Sequence, residues 1–168
     1  MGAMRTADGA ALEIRRLGSH DEAEACARMM AASEPWITLR RDVDAALAIL
    51  TDSERESYVA LIEDDLVGFI ILVMHGAFVG YIQSVCVTPG RRSVGLGRRL
   101  MAFAEERIFR ETANVFLNVA SFKPQAQRLY ERLGYEVVGE LRDYIVPGHS
   151  EILMRKSTGP LAEFRVRP

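Results

Sequence analysis

The chain has 168 residues, 49% of them hydrophobic and 26% charged, with a formal net charge of −2. That length suits one packed core, since domains run to roughly 100–150 residues, and the composition is too apolar for a disordered chain. The near-neutral balance supplies no global pull toward nucleic acid or an anionic membrane, so neither is expected as a partner and any polyanion site must be local.

In chain order, Leu12-Glu13-Ile14-Arg15 alternates like a half-buried strand, and Ser19-His20-Asp21-Glu22 has the capping-box spacing that starts a helix. Cys26, Met29, Met30 and Ser33 recur on one face of that helix to about Ser33, where Glu34-Pro35 ends it and leaves Trp36 and Ile37 in a loop. A short helix follows Asp42, with Val43, Leu47 and Leu50 on one face. Tyr58–Ile62 then reads as a strand, Asp64-Asp65 as a hairpin turn, and Leu66–Met74 and Val79–Val87 as two more strands. No charge occurs between Leu66 and Gly90, but His75-Gly76, Gly80, Gln83 and Ser84 break the run, so two buried strands fit better than a membrane span.

From Gly97 to about Arg110 the period is helical, with Leu96, Leu100, Phe103, Ala104 and Ile108 sharing a face. Val115–Val119 is a strand. Pro124 opens a last helix faced by Ala126, Leu129, Tyr130 and Leu133 and stopped by Gly134. Tyr135–Val138, Leu141–Val146 and Glu151–Met154 complete the strands. Short turns among the early strands and a helical crossover between Val79 and Val119 require a mixed sheet in an α/β (α+β) fold. One domain over 1–168 is expected, with residues 1–10 a flexible N-terminus and 157–168 a C-terminal tail. Cys26 and Cys86 do not form a secreted disulfide framework and no export signal is evident, so a cytoplasmic location is expected.

The segment Arg91-Arg92-Ser93-Val94-Gly95-Leu96-Gly97 combines arginines, glycines and a helix start. Glycine permits close approach of a ligand to the main chain, the first N–H groups of a helix are unpaired, and its dipole favours an anion. Arginine adds a planar fork for phosphate. The bland alternative is a tight helix entry beside a solvated face of Arg91, Arg92, Arg98 and Arg99. A dinucleotide-binding glycine fingerprint fails because its third glycine position holds Leu100, and a Walker loop fails for want of Gly-Lys-Ser/Thr.

Val87-Thr88-Pro89-Gly90-Arg91-Arg92-Ser93-Val94-Gly95-Leu96-Gly97 resembles the R/Q-x-x-G-x-G/A signature of the GNAT superfamily of acyl-CoA-dependent N-acetyltransferases, with Arg92, Gly95 and Gly97 at its fixed positions. Ala126, Leu129-Tyr130 and Leu133-Gly134-Tyr135 resemble the family's A-x-x-L-Y-x-x-x-G-F segment in register downstream. The resemblance runs from about Leu12 to Lys156 and is weakest over residues 20–56. It implies a mixed, mostly antiparallel sheet of six or seven strands flanked by about four helices, acetyl-CoA as cosubstrate and no metal. It also implies that Val85, Cys86 and Val87 run along the pantetheine, that Arg91, Arg92, Ser93, Val94, Gly95, Leu96, Gly97 and Arg98 surround the pyrophosphate, and that the coenzyme thiol lies near Tyr130. Lys123 stands where relatives often place an asparagine that contacts the coenzyme.

An ammonium acceptor of pKa about 10.4 costs about 4–5 kcal/mol to neutralise at pH 7, whereas the leaving thiol has a pKa of about 8.5, so base assistance matters more than acid assistance. By residue pattern Tyr130 is a core aromatic; the resemblance assigns it the general-acid position, and the Val87 N–H is the candidate for an oxyanion role. No base is assigned, although Glu34, His75 and Glu151 are candidates. By fold analogy Glu34, Trp36 and Tyr144 belong to the acceptor pocket, for a small-molecule or peptide amine. A non-catalytic acyl-CoA-binding regulator and an unrelated nucleotide binder are the competing readings, and a homodimer is left open.

Overall fold

The computed structural model describes residues 4–5, 11–92 and 95–166. Eight strands pair into one sheet: β1 (Met4–Arg5), β2 (Ala11–Arg16), β3 (Arg55–Ile62), β4 (Asp65–Val73), β5 (Tyr81–Val87), β6 (Asn114–Ala120), β7 (Glu136–Leu141) and β8 (Glu151–Ser157), in the spatial order β1-β2-β3-β4-β5-β6-β8-β7. Seven of these have six residues or more. Every neighbouring pair is antiparallel except β5 with β6, the crossover pair. Of the expected N-terminal segment, residues 1–3 and 6–10 lie outside the described residues, and Met4–Arg5 pairs with β2.

Among the described residues four α-helices cover the sheet. Helix α1 (His20–Ala31) begins at Ser19, whose hydroxyl accepts from the Glu22 N–H, and α2 (Val43–Leu50) begins at Asp42, whose carboxylate accepts from the Ala45 N–H. These two cover one face with Cys26, Met30, Ala46 and Leu50, against Val59, Phe69 and Ile71. Helices α3 (Leu96–Ile108) and α4 (Pro124–Arg132) cover the other. There Leu96, Leu100, Met101, Ala104 and Ile108 pack on Ile70, Leu72, Ile82 and Leu117. Central strand β4 is buried on both sides, which explains its uncharged run.

Four details differ from the sequence reading. Val43 is exposed, because Ala46 and Leu50 form the inward face of α2 with Leu47 partly buried. The hairpin turn is Glu63-Asp64, both at positive φ (51° and 68°) as a mirror-image two-residue turn requires, and Asp65 already begins β4. Residues 142–150 form turns rather than a strand, with the Asp143 carboxylate accepting from the Gly148 N–H at 2.7 Å. Ser157 ends β8 rather than starting the tail, and a single turn, Leu161–Glu163, lies beyond it.

Candidate active site

Strands β5 and β6 are registered only at Tyr81 with Phe116 and Ile82 with Leu117. Past Ile82 they part, because β6 is held along its length by β8 on its other side. A register shift in the β4–β5 ladder leaves Gln83 as an extra residue on β5. Its side chain accepts from Arg55 Nε at 2.7 Å. Before the shift Ile82 faces α3; after it Val85 and Val87 do, while Ser84 and Cys86 pair with Ile71 and Phe69 on the α1/α2 side. A cleft of ≈ 640 Å³ opens between the strands, bounded by β5 from Tyr81 to Val85 and by Leu117–Ala120.

One wall of this region is made by β5, α3 and α4. Thr88 N–H donates to Val67 O at 2.9 Å, so ladder alternation turns the N–H and C=O of Val85 and Val87 away from β4 and toward the gap. After Val87 a single turn, Pro89–Arg91, leads to Gly95, which starts α3 with φ 82° and no side-chain cap. The first-turn amides of α3 therefore have no partner from the cap residue, and a Cβ at Gly95 would meet nothing within 4 Å. Arg91, in the turn that precedes Gly95, and Arg98, in the first turn of α3, are both exposed. Arg92 Nε donates to Val87 O at 3.2 Å and its Nη2 to the buried Ser33 Oγ at 3.4 Å. Leu96 is buried under the sheet, and the flanking Ser93 and Val94 lie outside the described residues. This set suits an extended thioester cofactor: strand-edge amides for a pantetheine, and helix amides with arginines for a pyrophosphate.

Lys123 caps α4 and lines the cleft together with Tyr130. The Tyr130 ring packs edge to face on Tyr135 with centroids 5.9 Å apart, and burial pushes its phenol up to about 12. It is both a core contact and a cleft wall. The Cys86 thiol turns away from the gap toward Ser33 Oγ at 3.9 Å, burial raises its pKa, and the same alternation directs its N–H and C=O to β4, so Cys86 lies between the two ligand-facing peptides without offering a hydrogen bond of its own.

The opposite wall collects Glu34 and Trp36 from one loop and Tyr144 from a segment distant in sequence. Trp36, 8% exposed, tilts against Phe69 at 6.5 Å and so plugs the core while lining the cleft. The Glu34 carboxylate accepts from Thr38 N–H at 3.3 Å and Thr38 Oγ1 at 3.0 Å, which fixes the loop that carries Trp36. Tyr144 is 61% exposed at the rim. Arg41, Tyr81, Asn118 and Glu151 line this wall too. Among them, burial pushes the Tyr81 phenol up to about 12 and the Glu151 carboxyl up to about 7, and lowers the Arg41 guanidinium from its usual value. His75 lies in the turn before β5 and is not among the residues lining the cleft. The period-two pattern of β5 marked Tyr81 only as a strand residue; an extra residue on one strand leaves no mark in composition. Among the described residues no group of His, Cys, Asp and Glu is placed to hold a metal ion, and no helix is long and apolar enough to cross a membrane.

The model of the acetyltransferase (GNAT) family matches residues 22–135. The chain is 34% identical over 88 residues to a blasticidin-S acetyltransferase of Streptomyces morookaense, a match covering 48% of this chain and 64% of that protein. It is 28% identical over 119 residues to an N-alpha-acetyltransferase of Sulfurisphaera tokodaii, covering 62% and 71%. A solved aminoglycoside 6'-N-acetyltransferase complexed with coenzyme A superposes with a TM-score of 0.70 at 20% identity, over 93% of this chain and 99% of that one. The matched residues run from α1 across the splayed strands to the end of α4, so the cleft lies largely within them, and the chain belongs to the acetyltransferase (GNAT) family.

Proposed function

We propose that the chain is an acetyl-CoA-dependent N-acetyltransferase of one domain, moving an acetyl group to a primary amine of a small molecule or a protein N-terminus by direct attack in a ternary complex. The observation that carries this reading is the parting of β5 and β6 after two residue pairs, which joins the wall suited to a thioester cofactor and the wall of Trp36, Tyr144 and Glu151 in one cleft. Direct transfer needs both reactants in one such space. The names of the relatives agree with an amine acceptor: one acts on blasticidin S, another carries an N-alpha designation, and the superposed structure is an aminoglycoside enzyme holding coenzyme A.

Bound acetyl-CoA supplies an activated acyl carbon and a thiol leaving group. The α3 amides with Arg91, Arg92 and Arg98 hold the pyrophosphate, Gly95 to Gly97 follow its contour, and Lys123 stands at the start of α4 on the pantetheine side. Val85 and Val87 orient the pantetheine through main-chain hydrogen bonds, and the Val87 N–H receives the carbonyl oxygen as negative charge grows on it. The Arg92 guanidinium already bonds the Val87 carbonyl, in the peptide that follows this N–H. Tyr130 stays protonated through the neutral range and donates to the sulfur.

Two measurements test the reading. Acetyl-CoA at about 100 times its dissociation constant stabilises a specific binder by about 2.7 kcal/mol, so it should raise the melting temperature where ATP and NAD do not. Thiol release from acetyl-CoA across aminoglycosides, polyamines, amino acids and peptides with free N-termini should then rise above the rate with water for at least one amine. A chain stabilised by acetyl-CoA but silent across that screen is a regulator rather than an enzyme.

A further inference from the structure

Three buried side-chain atoms without a hydrogen-bond partner among the described residues belong to residues lining this one cleft: Ser84 Oγ, Asn118 Oδ1 and Glu151 Oε1. They come from β5, β6 and β8. Register puts them on one face. Leu117 and Val119 pack toward α3, so Asn118 and Ala120 face the α1/α2 side, and Glu151 shares that side by pairing with Ala120. Ser84 joins them through its pairing with Ile71 after the β5 irregularity. Glu151 and Ser84 are each 4% exposed.

Leaving a buried acceptor without a donor costs roughly 1–3 kcal/mol, so three such groups at one site call for a ligand that donates. All three can accept, and an alkylammonium offers three N–H donors in a compact head. We infer that Glu151, Asn118 and Ser84 seat the amino nitrogen of the acceptor, and that the Glu151 carboxylate takes the ammonium proton this nitrogen must lose before it attacks. This assignment rests on the proposed N-acetyltransfer and adds to it the missing base.

One N–H proton of the ammonium moves to the Glu151 carboxylate and frees the lone pair. The nitrogen then forms a C–N bond to the acetyl carbon while the C–S bond breaks and the sulfur leaves with that electron pair. The second N–H proton reaches the sulfur by way of the Tyr130 hydroxyl, and Glu151 returns its proton to solvent, giving one amide, one thiol and one released proton. A carboxyl raised to about 7 by burial is matched to this task near neutral pH. The titratable and charged groups around the same cleft are Tyr81, Tyr144, Arg41, Glu34, Lys123 and Tyr130. His149, two residues before Glu151, stacks its ring on Phe122 at 4.9 Å.

The test is Glu151→Gln, which keeps the shape and removes the buried charge. Thiol release from acetyl-CoA is followed against pH with spermidine, kanamycin, a tetrapeptide with a free N-terminus and water alone, since attack by water needs the same base. The expected result is a loss of roughly 10²- to 10⁴-fold in rate and disappearance of the wild-type limb near pH 7, with the melting-temperature rise on acetyl-CoA unchanged. Asn118→Leu and Ser84→Ala should raise the amine KM more than they lower kcat, while coenzyme affinity holds. Wild-type rates and pH profile in Glu151→Gln with every probe, water included, overturn the assignment. Absence of any acetyl-CoA stabilisation in the wild type is a different failure: it removes the coenzyme reading, and this assignment falls with it.

Discussion

The two walls of the cleft are built differently. The β5–α3 wall is drawn chiefly from neighbouring segments, Val85–Arg92 and Gly95–Arg98, with Tyr130 and Lys123 added from α4. The opposite wall is assembled from the Glu34–Arg41 loop, Tyr81, Asn118, the 142–150 loop and Glu151, which no sequence window contains together. A site made by consecutive backbone groups tolerates little change in spacing, whereas one made by side chains on separate strands can change its chemistry residue by residue. The first should be broken by geometry and the second by chemistry.

The largest effect on coenzyme binding is expected at Gly95. A β-branched side chain at φ 82° costs about 1–2 kcal/mol of backbone strain. Its Cβ points into open space beside the α3 amides, where the pyrophosphate would sit. Gly95→Val should weaken acetyl-CoA binding at least about a hundredfold, or about 2.7 kcal/mol, by calorimetry, with the amine wall untouched. Wild-type affinity in this variant would sink the phosphate-loop assignment.

Next comes Glu151, through stability. Its folded pKa of about 7 lies above the ordinary 4.5, so the native state holds its proton more tightly than the unfolded chain. Stability from this group is therefore full below about pH 4.5, declines as pH rises, and is lost above about pH 7, a swing of about 3 kcal/mol. Glu151→Gln has nothing to titrate. Denaturant melts at about pH 5 and pH 9 should show the variant near wild type at the lower pH and more stable by up to about 3 kcal/mol at the higher one. Equal gains at both would remove the buried-carboxylate explanation.

How much of this was legible in sequence follows the same division. The arginine and glycine loop and the Leu129-Tyr130 segment could be read directly, because helix starts, caps and glycine conformations are local events. The mixed sheet was legible from turn lengths and one crossover. The residues 142–150 misled because Tyr144, Ile145 and Val146 have strand propensity, yet only Val146 of these is buried and Asp143 ties a turn instead. Glu151 could be named as a base candidate but not chosen, since its raised pKa comes from burial that β6 and the facing loops impose. Tyr81 and Ser84 escaped because the extra residue Gln83 changes which face each occupies.

Tyr130→Phe tests the seam where the walls meet. A phenol held at about 12 cannot pass its proton outright to a thiolate of pKa about 8.5 without a cost of about 5 kcal/mol, so its contribution is a hydrogen bond and a relay. Turnover should fall by about tenfold, about 1.4 kcal/mol, with coenzyme affinity unchanged, as single-turnover thiol release and calorimetry would show. Equal turnover would leave Tyr130 as core, packed on Tyr135.

The smallest effect is expected at Ser33, and it asks whether the two walls act independently. Ser33 stands at the start of the loop that carries Trp36, yet its hydroxyl accepts from Arg92 of the coenzyme loop at 3.4 Å and from the Cys86 thiol at 3.9 Å. Both contacts are long, so their loss in Ser33→Ala should cost less than about 1 kcal/mol, a change of under about fivefold in acetyl-CoA affinity. The informative quantity is the amine KM measured alongside. Should it move with coenzyme affinity, Arg92 and Ser33 transmit the position of one wall to the other. Should only coenzyme affinity change, Ser33 merely parks the Arg92 side chain, and the walls can be altered separately.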